Sequence, residues 1–219
     1  MHRRVFLFAL LPSVAWSQTV PPISPAGQRL AALLDGMQVE KRWQAKYRVD
    51  WRTGDAVSGP VTTPGGHTHC SAFAAAAAER LGVYLLRPPE HPQDWLANAQ
   101  ERWLNDSAGA QAGWTRLGRL ADPGASLRAV AAANRGELVV AVYFQPPRST
   151  PTGPQQRAGH IAIVRPSTKA ADLVTAEGPD VIQAGEHNYL SAPLRAGFAA
   201  HREGLADGNI EYFAHKTDL

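Results

Sequence analysis

Apolar residues recur at helical spacing up to Asn134 and gather into short continuous runs after Gly136. Ser24-Pro25 reads as a cap and first helical position, with Leu30, Leu33 and Leu34 on one face and Gly36 as stop. The stretch CSAFAAAAAERLGV, opening at Cys70, predicts a second helix, because alanine is the best helix former and Gly82 follows Leu81. Phe73, Ala77 and Leu81 share its face, and its small residues suit close packing, so it is expected to be central and buried. Residues 92–105 predict an amphipathic helix carrying Trp95 and Trp103, and residues 125–134 another, ended by Gly136. Trp43, Tyr47 and Trp51 recur every fourth position and would share one face of a helix, either filling the core or walling a substrate site.

Beyond Gly136, ELVVAVYF is β-branched and aromatic and ends at Pro146-Pro147, which predicts a buried strand. Further strands are expected at HIAIVRP from His160, at DVIQAG from Asp180 and at IEYFAH from Ile210. Gly, Pro, Ser and Thr mark residues 54–66 as a loop, and a Pro/Gly/Gln-rich loop runs to Gly159. Helices first and strands afterwards predict an α+β domain with a mostly antiparallel sheet. There is no internal repeat.

The first seventeen residues, MHRRVFLFALLPSVAWS, have a basic start, an apolar run and small residues at Ala15 and Ser17. This predicts a signal peptide over residues 1–17, cleaved after Ser17, because the run is broken by Pro12 and falls short of the roughly 20 residues a spanning helix needs. Residues 18–52 are then expected as an N-terminal helical extension and residues 53–219 as the main domain. The expected product is a periplasmic or secreted monomer without a membrane anchor. Losing Arg3 and Arg4 turns 22 basic against 19 acidic residues into 20 against 19, so the formal charge falls from +3 to +1. With the remaining cations scattered and no interleaved aromatics, no nucleic acid is expected as a partner.

Cys70 is the sole cysteine, so no internal disulfide can form. One reading makes it a small buried hydrophobe. Its place at a helix start supports another, because unpaired N–H groups and the positive end of the helix dipole favour a thiolate there and offer donors to an oxyanion. His160, opening a strand directly after Gly159, is the candidate base. His67, His69 and Cys70 form an H-x-H-C cluster, so zinc is the rival from another class, with a solvated loop as the plainer account of the two histidines. A non-catalytic exported binding module with an incidental thiol is a third. His91, His187, His201 and His215 share no spacing and are expected at the surface.

HCSAFAAAAAERLGV, GHIAIVRP and VIQAG together resemble the papain-like cell-wall hydrolases of the NlpC and CHAP types, and more closely the amidase effectors of type VI secretion. The resemblance spans about residues 65–215. It implies a papain-like fold, with Cys70 as nucleophile, His160 as base and Gln183 as the polar residue orienting the imidazole. NlpC-type enzymes usually carry histidine at that third position, and CHAP-type enzymes use an acidic residue and asparagine. Glu177 and Asn188 therefore compete for the role, and Gln183 could equally be a plain polar strand residue. The resemblance further implies no cofactor and no metal, and peptidoglycan stem peptide as substrate, at the bond between D-Glu and diaminopimelate. Type VI effectors normally lack a cleaved signal, so the expected role is wall remodelling or that of a secreted weapon.

Overall fold

A computed structural model describes residues 19–60 and 68–219. The expected signal peptide, its cleavage point and His67 lie outside the described residues. In chain order the elements are α1 (Pro25–Gly36), α2 (Cys70–Arg80), α3 (Leu96–Asn105), α4 (Ser107–Gln111), β1 (Thr115–Arg119), α5 (Ala125–Asn134) and β2 (Leu138–Tyr143). There follow β3 (Arg148–Thr150), β4 (Gly153–Gln155), β5 (His160–Val164), α6 (Ala171–Glu177), β6 (Asp180–Gln183), β7 (Tyr189–Pro193), α7 (Leu194–Gly197), α8 (Arg202–Ala206) and β8 (Glu211–His215).

The class is α+β. Six strands form one sheet in the order β1-β8-β2-β5-β6-β7, with neighbours antiparallel throughout, and β3 and β4 make a separate hairpin. Strand alternation sorts the sheet's side chains into two apolar clusters. Leu138, Val140, Val142, Ile161 and Ile163 pack with α1 and α2, whereas Val139, Ala141, Ala162 and Val164 pack with α5, Leu194 and Phe198. Helix α2 is buried from Cys70 to Ala78, on all sides, which its alanines permit by letting the sheet and α3 approach closely.

Three sequence expectations need correction. The chain does not run helices first and strands afterwards, since β1 precedes α5 and pairs with β8 at the sheet edge. The helix expected from Pro92 begins at Leu96, because Trp95 takes a left-handed conformation, φ 60°, and is half exposed. Trp43, Tyr47 and Trp51 do not lie on a helix. Their segment is a succession of turns closed by a bridge between Val49 and Ala56, with Trp43 itself at φ 50°. Core filling is nevertheless what the tryptophans do. The fully buried Trp43 ring meets Phe73 of α2 edge-on at 5.2 Å, and its Nε1 donates to the Trp51 carbonyl at 3.1 Å. The segment expected as an extension thus shares a core with the sheet through Leu30, Leu34, Met37 and Trp43.

Candidate active site

Helix α2 brings Cys70 to the N-terminal end of β5, where His160 begins its strand. Cys70 belongs to the cluster on the α2 face, while the ring of His160 is packed edge-on by Phe198 from the other face at 4.7 Å. The two side chains are both nearly inaccessible, 4% and 6% exposed, and each acts on the other's charge. The helix start is itself fixed, because Gln100 of α3 donates to the Ser71 carbonyl at 3.1 Å and to the Leu86 carbonyl at 2.9 Å.

Two opposed effects set the charges. Burial pushes the Cys70 thiol up, but the charge on His160, its hydrogen bond, and the backbone N–H groups of Ile161 and Ser71 bring it below its ordinary value. For His160 burial works downward, and the Cys70 charge and hydrogen bonds to Cys70 and Gln183 overcome it, so the imidazole is raised. Both shifts favour one state, a thiolate beside an imidazolium. The Ser71 N–H is one of the unpaired donors of the first turn of α2, a turn that lacks a side-chain cap.

Gln183 faces the other side of the imidazole. Its Oε1 lies 2.8 Å from His160 Nε2, while its Nε2 donates to the Gly197 carbonyl at 3.2 Å and the His187 carbonyl at 3.4 Å. Because the amide nitrogen is spent on carbonyls, the oxygen must be the end turned to His160, and it accepts from Nε2–H. Nδ1 is then the nitrogen left for the thiol. A Cβ at residue 197 would stand 2.6 Å from Gln183 Oε1, so the close approach requires Gly197. Gly159 is needed on similar grounds, since a Cβ there would collide with Asn98 Oδ1 and the Tyr143 carbonyl oxygen.

The competitors for the orienting position are engaged elsewhere. Glu177 pairs with Lys169 at 2.8 Å with its side chain 47% exposed. Asn188 donates to the carbonyls of Val39 and Arg42 at 2.7 and 2.9 Å and accepts from the Gly185 N–H, which ties its loop to the N-terminal segment. His69 Nε2 lies 2.8 Å from the Tyr47 carbonyl oxygen. Among the described residues no group of three or more His, Cys, Asp or Glu side chains is placed to hold a metal ion.

An open cleft of about 530 Å³ adjoins His160, lined also by Gln183, Lys46, Thr68, Glu186 and His201, with Cys70 behind the lining. The Pro/Gly/Gln-rich loop before Gly159, in which the β3–β4 hairpin forms, adds Ala158 to it. His201 is the residue that sequence reasoning missed. Expected at the surface, it is half-buried with its ring stacked on His160 at 5.3 Å and 17°. It stands between α7 and α8, far along the chain from both Cys70 and His160, and no local pattern marks it. His215 also departs from the surface expectation, with Nε2 2.8 Å from the Ala112 carbonyl oxygen and its ring edge-on to Trp114.

No family model matches the chain, and no curated protein matches it significantly.

Proposed function

We propose that this protein is an exported papain-like cysteine hydrolase that cuts an amide bond in peptidoglycan stem peptide. The observation that carries the reading is the buried pairing of Cys70, at a helix start, with His160, each favouring the other's charged form, so that the thiol is shifted down and the imidazole up. A buried cysteine serving only as a small hydrophobe has no need of an imidazole partner whose far nitrogen is held in turn by Gln183.

In the proposed reaction the Cys70 thiolate attacks the amide carbonyl carbon. A C–S bond forms as the carbonyl electrons move to oxygen, and backbone N–H groups at the start of α2 stabilise the oxyanion. On collapse the C–N bond breaks, and the amine leaves with the proton held by His160. Water then adds to the thioester, giving its proton to His160, and C–S cleavage releases the carboxylic acid and restores the pair. Throughout, Gln183 holds the tautomer that presents Nδ1 to sulfur. Peptidoglycan as substrate and an extracytoplasmic site of action rest on the resemblance of HCSAFAAAAAERLGV and GHIAIVRP to the cell-wall hydrolases and on the leader-like residues 1–17.

The test is mass spectrometry of peptidoglycan fragments incubated with the mature protein and with Cys70→Ala. New amine and carboxyl termini with the first protein alone are expected. Unchanged fragments with both, while Cys70 reacts with iodoacetamide like an ordinary thiol, would favour a non-catalytic binding module.

A further inference from the structure

Gln183 restrains one nitrogen of His160. Two neighbouring rings pack against the imidazole as well. Phe198 meets the imidazole at 77°, and His201 lies almost parallel to it at 17°. His201 is itself anchored. Its Nδ1 lies 3.0 Å from Gln145 Oε1, and the buried Gln145 donates through Nε2 to Glu203 Oε2 at 3.0 Å. Arg157 holds that carboxylate at 3.0 Å, and the Gln145 backbone N–H donates to Asn98 Oδ1 at 3.1 Å.

This chain of bonds also fixes a proton. Facing a carboxylate, the Gln145 amide nitrogen must donate, so its oxygen must accept, and the hydrogen between Gln145 and His201 belongs to His201 Nδ1. The charged and titratable groups around His201 are His160 on β5, Arg157 before it, Tyr143 at the end of β2, and Glu203 on α8, reached through Gln145. Burial, then the charges of His160 and Arg157, lower its pKa to about 4. A second cation stacked on the imidazolium would repel it, whereas an uncharged aromatic ring attracts it through its π face.

We propose that His201 is a positioning residue for His160, an uncharged ring anchored by Gln145 that walls the imidazole against Cys70. This rests on the reading of Cys70 and His160 as a catalytic pair. His201→Ala removes the wall, and His201→Phe keeps a ring while losing the hydrogen bond to Gln145. The full mature chain and both variants are compared by iodoacetamide rate at Cys70 against pH and by kcat and KM on peptidoglycan fragments.

His201→Ala is expected to raise the alkylation midpoint by about half to one pH unit and to lower kcat with little change in KM. His201→Phe is expected to restore most of both. A folded His201→Ala protein with the wild-type midpoint, or a His201→Phe protein no better than it, overturns the assignment. Imidazole ¹H–¹⁵N spectra of the unmodified protein supply a test that needs no variant. They should show His201 uncharged and protonated on Nδ1 down to about pH 4, and titration of that ring near its ordinary value of about 6.5 overturns the proposal. A wild-type midpoint near the ordinary thiol value of about 8.5 would remove the catalytic pair as well, whereas a depressed midpoint that neither variant moves removes His201 alone.

Discussion

Gln183 Oε1 stands 2.8 Å from His160 Nε2 and can only accept there, because the other end of its amide is held by the carbonyls of Gly197 and His187. A neutral amide thereby holds the imidazole. It orients the ring and favours its protonated form without adding charge.

Gln183→Ala is therefore expected to lower turnover by about 10–100-fold, the loss typical of removing a partner that orients a functional histidine. Glu177→Ala, at a side chain paired with Lys169, is expected to leave the rate near wild type. Steady-state rates on peptidoglycan fragments check both. A larger loss at Glu177 would transfer the orienting role.

The opposite shifts of Cys70 and His160 predict a plateau of activity. The acid limb should follow the thiol, titrating below its ordinary range. The alkaline limb should follow the imidazolium, which loses its proton above the ordinary histidine value of about 6.5. In His160→Ala the burial of Cys70 remains while the cation is gone, so the alkylation midpoint should move up, to or above the ordinary thiol value. An unmoved midpoint would dissolve the pair.

Cys70→Ala should abolish hydrolysis and leave the fold intact. The removed sulfur is small and alanine is the better helix former, so the cost to stability should be only about 1–2 kcal/mol. Circular dichroism during denaturation, beside fragment release, separates the two effects. Hydrolysis by the folded variant would end the cysteine-hydrolase reading.

Gly159→Ala places a Cβ against Asn98 Oδ1 and the Tyr143 carbonyl. Backbone on one side and a tethered amide on the other leave little room to yield. A loss of about 1–3 kcal/mol is expected, together with slower alkylation of Cys70 as His160 is pushed out of line. Thermal melting and the iodoacetamide rate read these separately.

Trp43→Ala tests whether the N-terminal segment is integral to the domain. Its ring is fully buried and packs on Phe73, in the same helix as Cys70. The expected loss is about 3–5 kcal/mol, measured by denaturant unfolding. A loss under about 1 kcal/mol would mean that the segment can detach while the sheet remains folded.

The elements that bury most surface are legible in the chain. The alanine-rich helix from Cys70, the continuous apolar runs of β2 and β5, and the start of β5 at His160 could all be read, because a buried element must carry its apolar residues in its own periodicity. The edge strands β1 and β7 could not. Each pairs along one side only, and Thr115, Arg116 and Ser191 remain exposed, so neither carries a hydrophobic run. A spacing of four around Trp43 fits a helix, whereas Trp43 is left-handed there, with its ring edge-on to Phe73 and its Nε1 donating to the Trp51 carbonyl, contacts that no local pattern encodes. At the site, Cys70 and His160 were legible from local context, one before a helix and the other after a glycine. The tertiary structure alone decided that Gln183, rather than Glu177 or Asn188, faces the imidazole, and that His201 stacks on it. Those relationships depend on which strands pair and on where α7 and α8 turn back. No local run of residues encodes contacts made by chain closure.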